Sequence, residues 1–353
     1  MRKSMAVLAA LTMTAAGLAA QDAPGIGLRL APQYMSYSIG SGSKVKINEL
    51  AIPVAFMYTL NSQFSVDVAS AFANATVDDG TTKSTISGLT DAQVRLNYSA
   101  GAGVVITAGL NIPSGQYKVA EDKIAAAGEI GNDFLAFPVS SFGNGFAGTG
   151  GVALARTAGS WNLGLGASFR HSVEFDAFET DNTTFRFTPG DEIRVRLGGD
   201  HELSNSGRMM VGVVFSSFGK DKAQETTYST GSRIIGQAAF DVPVSGHQLY
   251  IGGWLLHHAS GERLGGTAPA ENIENVLAAL GLHAGTLFVE PSVELRFRQA
   301  DGADGSSIVY GGLRTKLNAG SLEISPSVAY GKGSIEGTDI SSIKGGITIR
   351  YAK

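Results

Sequence analysis

The chain of 353 residues contains no cysteine, so no disulfide can stabilise it. A small disulfide-bonded fold is therefore excluded, and stability must come from a large core or from a sheet embedded in a membrane. Beyond residue 20 there is also no run of about 18 consecutive apolar residues, the length that a membrane-spanning helix needs. If the chain crosses a membrane, its strands must close into a barrel, because lipid offers no partner to open strand edges.

Charged residues are scarce as well. They make up 16% of the sequence, and the net charge of −4 argues against a nucleic-acid partner, which would require a basic face. Glycine, in contrast, is abundant at 47 residues, well above the average share of about 7%. Low charge together with high glycine is typical of sheet-rich envelope proteins and disfavours a helical enzyme.

The first residues have the three parts of a secretory signal peptide. Arg2 and Lys3 give a positive start, residues 6–18 are apolar, and residues 17–20 are small where a signal peptidase would cut. A buried N-terminal helix fits less well, because the apolar run follows a basic start and ends in small residues. We therefore expect residues 1–20 to be removed, which takes Arg2 and Lys3 away and changes the net charge from −4 to −6. Residues 21–353 then form a single domain.

From about Gly25 onward, stretches of about ten residues alternate between apolar and other side chains, as membrane strands do when one face meets lipid and the other a lumen. Residues 287–297 are the clearest case. Their odd-numbered positions are all apolar, and the even-numbered positions carry Glu290, Glu294 and Arg296. A helix would spread these charges around its circumference, so a strand is the better interpretation. The same alternation recurs at 50–60, 64–68, 92–98, 104–112, 161–169, 193–197, 209–215 and 322–330.

Short links alternate with longer segments between these strands. The short links lie near Asn61, Ala100, Ala158, Ser206, Ser245, Gly285 and Ala319, and the longer segments near Asp79, Ala125, Asp181, Gln224, Ala268, Ala303 and Gly337. Outer-membrane barrels combine short periplasmic turns with longer outer loops. The sequence therefore predicts an all-β fold, a transmembrane antiparallel up-and-down barrel of 14 to 16 strands, in the outer membrane.

Two local features complicate this pattern. Pro53, Pro291 and Pro326 fall inside predicted strands, where proline gives no ladder donor, so these sites weaken the strand prediction or mark bulges. Residues 118–129 are rich in alanine and charge and are predicted to be helical. Residues 271–282 are open to two interpretations, a short helix or the twelfth strand.

Two motifs resemble known outer-membrane proteins. The end of the chain, with Lys344, Gly346, Ile349 and Tyr351, resembles the C-terminal signal read by the barrel-assembly machinery, although Ala352 and Lys353 follow the aromatic residue. Residues 88–98 and 109–115 together resemble the outer-membrane transporter family associated with the meta pathway of phenol degradation, similar in style to long-chain fatty-acid transporters. This resemblance implies passage of hydrophobic or aromatic compounds across the outer membrane, with lipid, the assembly machinery and a small hydrophobic solute as partners.

If the faces are assigned correctly, the inward charges predict the selectivity of a lumen. The predicted inward basic residues are Arg95, Arg170, Arg194, Arg196, Arg233, Arg296, Arg298, Arg314 and Lys316, and the acidic ones are Asp67, Asp91, Glu192, Asp241, Glu290, Glu294 and Glu323. With nine against seven, strong ion selectivity is not expected. The alternative is that these residues pair across strands and only hold the wall in register.

Some predicted inward faces are apolar. One strand would point Met210, Gly212, Val214 and Phe218 inward, and another Tyr250, Trp254 and Leu256. A wide porin has a polar wall, so this pattern favours a narrow or plugged barrel that accommodates an apolar solute. The alternative is a register shifted by one residue, which would turn these side chains outward.

The sequence contains no recognisable catalytic arrangement. Its six histidines lack the spacing of metal ligands, and no glycine-rich phosphate loop opens a helix. The stretch 301–305 resembles part of a calcium loop but lacks the distal glutamate, so a flexible outer loop is the better interpretation. We therefore expect no enzyme activity, no cofactor and no metal.

The leading hypothesis is a passive outer-membrane channel for small, hydrophobic or aromatic compounds. The alternative is a structural or adhesive barrel whose long outer loops bind partners, with residues 114–145 as the binding element. A soluble periplasmic β-sandwich is the rival fold, because alternation alone does not reveal whether the apolar face meets lipid or a second sheet.

Overall fold

The computed structural model describes residues 25–353, except residues 43, 117, 181–182, 205, 264 and 285–286. The predicted signal peptide, residues 1–20, lies outside the described residues. In chain order the strands are β1 (Gly25–Leu30), β2 (Gln33–Ile39), β3 (Val45–Thr59), β4 (Phe64–Asp78), β5 (Lys83–Leu89), β6 (Ala92–Gly101), β7 (Val104–Ile112), β8 (Val119–Ala120), β9 (Ala147–Ala158), β10 (Trp161–Ser172), β11 (Phe175–Thr180), β12 (Thr183–Thr188), β13 (Glu192–Glu202), β14 (Arg208–Phe218), β15 (Lys220–Ala223), β16 (Thr226–Ser229), β17 (Arg233–Val244), β18 (His247–His258), β19 (Gly261–Arg263), β20 (Gly266–Ala268), β21 (Glu271–Ala284), β22 (Leu287–Ala300), β23 (Ser306–Ala319), β24 (Leu322–Ile335) and β25 (Thr338–Ala352).

Eighteen of these strands form one antiparallel sheet that closes on itself. The closing contact lies between β25 and the first two strands, for example Tyr351 opposite Leu28 and Ser342 opposite Tyr37. Because β1 with β2, and β5 with β6, are each two halves of one crossing, the barrel has sixteen crossings. The predicted barrel is confirmed at the upper end of the expected range of 14 to 16 strands.

The outside of the barrel is apolar on every crossing. On β10, for example, Leu163, Leu165 and Phe169 are exposed, and Leu197 and Val328 are among the most exposed large apolar side chains of other strands. An apolar surface that surrounds the whole molecule far exceeds the patches that soluble monomers expose. It matches the lipid-facing band of an outer-membrane barrel, so the chain lies in the outer membrane and the β-sandwich interpretation is wrong. No helix among the described residues is both long and apolar enough to span a membrane.

Both described termini and the short turns lie at one end of the barrel, which is the periplasmic end in such proteins. Ser245 and Gly246 illustrate these turns, with φ of 49° and 80°, the left-handed pair of a two-residue hairpin. The links near Asp79 and Gly337 lie at the opposite end but are short, residues 79–82 and 336–337, contrary to expectation. The link at residues 336–337 is short because Glu336 (φ 49°) and Gly337 (φ 79°) form a two-residue hairpin turn.

Each of the three strand prolines lies where the ladder to one neighbouring strand is interrupted. Pro53 faces the break between β1 and β2 and keeps its pairing to β4. Pro291 falls in a gap of the β21–β22 ladder, and Pro326 in a gap of the β23–β24 ladder. A missing amide donor costs little where no partner is present, so the prolines mark irregular sites within genuine strands.

The two helix predictions had different outcomes. A 3₁₀ turn, Glu121–Lys123, leads into helix α1, Ile124–Ile130, so the helix predicted over 118–129 is present from residue 121, whereas residues 119–120 form β8. Residues 271–282, in contrast, belong to β21 and pair with both β18 and β22, so the helical interpretation is wrong. The alternation there is strict, with Ile273 and Asn275 buried and Val276 exposed.

Residues 113–146, which connect β7 to β9, fold into the barrel instead of projecting from it. We call them the lumen segment. Its buried side chains form one apolar core with inward-facing residues of the wall. From the lumen segment this core contains Val119, Ala126, Ile130, Phe134, Leu135, Phe137, Val139 and Phe142.

The outer loops form a small second sheet of β8, β11, β12, β15 and β16. In it, β8 of the lumen segment runs parallel to β11, with Val119 opposite Phe178. Lys118 forms an ion pair of 2.9 Å with Glu179 at the same place. The lumen segment is therefore attached at its start to the outer loops.

Candidate functional site: the barrel lumen

The structure places all of the predicted pore-lining residues on the inner face of the barrel, opposite the exposed apolar residues. These are Asp67, Asp91, Arg95, Glu192, Arg194, Arg196, Glu290, Glu294, Arg296, Arg314, Tyr250 and Trp254. Whether they line a path for solutes stays a prediction. Several of them are engaged with the lumen segment or with each other, and the geometry divides them into distinct groups.

The first group holds the middle of the lumen segment. Arg296 donates from Nη1 to the carbonyl oxygens of Phe134 at 2.9 Å and Leu135 at 3.2 Å. The Tyr37 hydroxyl donates to the same Leu135 oxygen and lies 3.2 Å from the hydroxyl of Tyr310. These two buried carbonyl groups belong to no helix or sheet, and wall side chains supply the hydrogen bonds that a buried backbone group needs.

A buried charge network surrounds this contact. Glu294 accepts from Arg296 Nη2 and from Asn275 Nδ2, both at 2.7 Å, and its other oxygen lies 3.6 Å from Lys344 Nζ. The Lys344 ammonium also sits 3.4 Å from the ring centroid of Tyr310. Mutual pairing offsets the cost of burying these charges. Lys344, predicted as part of the assembly signal with Gly346, Ile349 and Tyr351 on β25, therefore also faces the lumen; the assembly role stays a prediction.

A second contact involves Glu49 on β3, which is fully buried. Its Oε1 atom accepts the backbone N–H of Val139 at 3.0 Å. On the opposite side of the lumen, His258 Nε2 lies 3.1 Å from a carboxylate oxygen of Asp133. The lumen segment is thus attached to strands on several sides of the barrel.

Asp91 clamps both ends of the lumen segment. Its Oδ1 accepts the N–H of Gly115 at 3.1 Å, and its Oδ2 accepts the N–H of Asn144 and the side-chain amide of Asn111, both at 2.8 Å. The Asp91 N–H donates in turn to the carbonyl oxygen of Phe142 at 3.1 Å. One carboxylate therefore fixes the points at which the segment enters and leaves the wall.

This clamp brings together the two halves of the motif at 88–98 and 109–115. Ser114 Oγ accepts the N–H of Ala92 at 2.9 Å. A Cβ at Gly115 would lie 2.2 Å from the Phe142 carbonyl oxygen and 2.5 Å from the Asp91 nitrogen, so only glycine fits. The motif thus has a structural reason of its own, independent of any family.

The lumen segment fills one side of the barrel and leaves the other accessible. Its core includes wall residues from β2 to β5 and from β17 to β25, such as Ala51, Ile86, Ile273 and Tyr310, all almost fully buried. Among the described residues, none in this core comes from β6, β7, β9, β10 or β13. We call the inner face of those five strands the open wall.

The open wall is built from small side chains with long arginines among them. Most of its inward residues remain partly accessible to solvent, and Ala147, Ser172 and Glu192, at one end of these strands, are buried. A Cβ added at Gly166 would meet only atoms of Val152 and Ala153, at 3.5 Å or more, and none from the lumen segment. The small residues include Thr107, Gly109, Thr149, Gly151, Ala153, Gly164, Gly166 and Ser168, and the arginines are Arg95, Arg170, Arg194 and Arg196.

The predicted apolar inner faces are present. Met210 and Val214 face inward while Val211 and Val213 are exposed to lipid, so the shifted-register alternative is wrong. Val214, Trp254 and Leu256 pack against or within the core of the lumen segment. A second, smaller apolar cluster contains none of the described residues of the lumen segment; its members are Ala239, Tyr250, Ala279, Met210 and Leu277.

Sequence reasoning missed several inner-face groups, among them Arg29, Tyr37, Glu49 and Tyr310. The tyrosines gave no signal because an aromatic residue fits either face of a barrel strand. Glu49 was detectable, since it is a charged residue directly before the apolar alternation of 50–60 and inside the same strand. Among the described residues, no group of three or more histidine, aspartate or glutamate side chains is arranged to hold a metal ion.

No protein-family model matches the chain, and no curated protein matches it by sequence. Similar solved structures include OccK11 (OpdR) of Pseudomonas aeruginosa, with a TM-score of 0.47 and 12% identity over 94% of this chain and 96% of that one. An outer-membrane channel of Pseudomonas putida F1 gives 0.43 and 11% over 95% and 97%. OmpT of Vibrio cholerae gives 0.45 and 10% over 95% and 99%. The outer-membrane assignment rests on the closed barrel and its apolar exterior, and the specific family suggested by residues 88–115 stays a prediction.

Proposed function

We propose that this protein is a passive outer-membrane channel in which small solutes pass between the lumen segment and the open wall. One observation carries the proposal: among the described residues, the apolar core of the lumen segment includes wall residues of β2 to β5 and β17 to β25 and none of β6, β7, β9, β10 or β13. Most inward residues of those five strands stay partly accessible. A segment meant only to seal the barrel would be expected to cover the whole circumference.

The composition of the open wall supports this path. Barrel strands normally gain stability from cross-strand contacts of large side chains, yet Gly109, Gly151 and Gly166 occupy inward positions of three neighbouring strands. Glycine in a strand interior carries a cost in chain entropy and packing. The absence of side chains at these positions leaves space beside the wall, and a path for solutes would explain why glycine is present despite that cost.

We infer that the solutes are small and include compounds with an apolar or aromatic part. The partly exposed Met210 and Leu277 of the second apolar cluster give such a solute an apolar contact, and Met210 lies on β14, the neighbour of β13. The adhesive alternative loses its main element, since residues 114–145 pack inside the barrel.

Purified, refolded protein in planar bilayers tests the proposal. We expect discrete conductance steps, and liposomes that contain the protein should swell faster than protein-free liposomes in isotonic solutions of small aromatic compounds that lipid excludes, such as phenylalanine. A sugar of several rings should give little swelling. A barrel that is folded, as shown by its heat-modifiable gel migration, but neither conducts nor admits any of these solutes would contradict the proposal.

A further inference from the structure

Two arginines face each other where the barrel closes. Arg29 on β1 lies directly opposite Arg350 on β25. Both side chains point into the lumen, because the adjacent pair, Leu28 opposite Tyr351, lies on the lipid-facing side. Residues that are directly opposite in antiparallel strands have Cβ atoms about 4.5–5.5 Å apart, and like charges at such positions repel each other. The pair therefore destabilises the wall unless a negative group offsets the charge of the two guanidinium groups.

Arg29 has no partner of its own. Within the described part of the chain, no hydrogen bond or ion pair involves its guanidinium, and its Nε atom is buried without an acceptor. Its neighbour on the other side of β1 is Ala55 of β3, so no carboxylate lies directly opposite Arg29 on either adjacent strand. A buried donor without an acceptor carries a desolvation cost, which a bound acceptor removes.

The carboxylates on the neighbouring strands are already shared among other cations. Arg350 donates from Nη1 to Glu323 Oε1 at 2.9 Å, and Lys316 Nζ lies 4.0 Å from the other oxygen of the same carboxylate. Glu290 on β22 accepts from Arg314 Nη2 at 2.7 and 2.8 Å. Together with the unpaired arginine of β1, four cations share two carboxylates in this part of the lumen. The excess positive charge is therefore local, and the near balance of inward charges along the whole barrel conceals it.

The arginine pair is accessible from the lumen. It lies in the periplasmic half of the barrel, since Arg29 is the fifth residue of β1 and Arg350 is three residues from the end of the chain. Among the described residues, the core of the lumen segment includes Ala51 of β3 and no inward residue of that strand closer to the periplasmic end. Both arginines and Ala55 between β1 and β4 stay partly accessible. A small solute can therefore reach the pair below the lumen segment.

We propose that Arg29 and Arg350 form a binding site for a small oxyanion, a carboxylate or a phosphate group, in the periplasmic half of the lumen. An oxyanion between the two guanidinium groups accepts hydrogen bonds from both and offsets their repulsion. The planar set of five N–H donors on an arginine suits the oxygens of a carboxylate and those of a phosphate alike. This site goes beyond the proposed channel and does not depend on it, because a barrel that does not conduct carries the same pair.

The first test is protection of Arg29 from chemical modification. Phenylglyoxal, which reacts with guanidinium groups, is applied to folded protein in detergent, and the modified fraction of each arginine is measured by mass spectrometry of peptides. We expect inorganic phosphate or acetate to slow the modification of Arg29 several-fold, whereas acetamide, the neutral analogue of acetate, and sodium chloride at equal ionic strength leave it unchanged. Arg208 is the control within the same sample, because it points inward at the same end of the barrel and is paired with Asp200 at 3.0 Å.

Slower modification of Arg29 by phosphate alone or by acetate alone supports the site and identifies its ligand. The site is overturned if neither anion slows the reaction, if chloride slows it equally, or if Arg208 is protected to the same extent. An Arg29 that never reacts would contradict the accessibility that the site requires.

The second test measures the affinity by calorimetric titration of phosphate and of acetate into folded protein in detergent. R29Q should weaken binding about tenfold or more, because it removes charge-assisted hydrogen bonds to the anion. R29K keeps the charge but loses the planar donor set, so its affinity should fall between those of R29Q and the wild type. R208Q, which removes one inward charge at the same end of the barrel, should bind as the wild type does.

Heat-modifiable gel migration shows that each variant is folded. A folded R29Q that binds both anions as tightly as the wild type would overturn the site, and so would an R208Q that weakens binding as much as R29Q does. Neither measurement requires current. A barrel that binds the anion but does not conduct would therefore contradict the proposed channel and leave the oxyanion site standing.

Discussion

The Asp91 clamp makes a prediction that can be worked through in numbers. Replacing Asp91 with alanine removes the acceptor of three hydrogen bonds, from Gly115 N, Asn144 N and Asn111 Nδ2. A hydrogen bond to a charged acceptor contributes about 1.5–3 kcal/mol, and leaving buried donors unsatisfied adds to the loss. Because the three bonds share one acceptor they are not additive, and we take about 3 kcal/mol for the set.

That loss acts on the docking of the lumen segment, not on the closure of the barrel, since Asp91 lies between β5 and β6 and outside the strand ladders. About 3 kcal/mol corresponds to roughly a hundredfold change in the docking equilibrium. Hydrogen exchange reports this directly, because amides protected only by docking exchange through its opening. We expect peptides covering residues 121–142 to lose about two decades of protection in D91A, whereas strands β21 to β25 keep theirs.

Asp79 provides the matched control. Its carboxylate also accepts backbone N–H groups, from Thr81 at 2.8 Å and Thr82 at 2.7 Å, but the hydrogen bonds described for it stay within its own outer turn and do not reach the lumen segment. D79A should change exchange only around residues 78–83. The clamp is refuted if D91A leaves the lumen segment as protected as in the wild type, or if D79A and D91A have the same effect on it.

Two further predictions concern the lumen segment. G115A should impair docking of the lumen segment more than D91A does, because the added methyl group would lie 2.2 Å from the Phe142 carbonyl oxygen and overlap it. The measurement is protease cleavage between residues 118 and 142 in the folded barrel. A G115A variant that is not cleaved there would contradict the reasoning. Burial raises the pKa of the Glu129 carboxyl on α1. At a pH above 4.5, the ordinary pKa of a glutamate, the charged form of Glu129 therefore opposes docking of the lumen segment. This destabilisation is lost as the pH falls and the carboxyl is protonated. E129Q should therefore be more resistant to cleavage than the wild type at pH 7, with the two converging as the pH is lowered; a more sensitive E129Q would show that the sign is wrong.

The sequence was sufficient for the parts of the fold that depend on local alternation. The inward and outward faces of β10, β13 and β22 could be assigned correctly because one face meets lipid and tolerates only apolar side chains. The same pattern placed Arg194, Glu294 and Arg296 on the inner face. The strand prolines were detectable, but which ladder each one interrupts depends on the neighbouring strands.

The position of the lumen segment could not be predicted by alternation, because it is determined by contacts between residues far apart in the chain. Arg296 and Leu135 are 161 residues apart, and Glu49 and Val139 are 90 apart. One local signal was available, the apolar side chains of Phe134, Leu135 and Phe137 in a stretch predicted to be an outer loop. Asp91 illustrates the same limit, since its inner-face position was predictable and its role as a clamp was not.

The central claim is that solutes pass along the open wall, and the absence of native cysteine allows a direct test. Cysteine is introduced singly at Gly166 on the open wall, at Ala51 beneath the lumen segment, and at Gly150, where the new side chain would face lipid. Each variant is then exposed to a bulky, water-soluble thiol reagent during current recording. Ala51 is fully buried, whereas a side chain at Gly166 has room toward the lumen. The account predicts that the reagent blocks current through G166C and leaves A51C and G150C unchanged. Block of A51C with G166C unaffected would place the path on the other side of the barrel and contradict it.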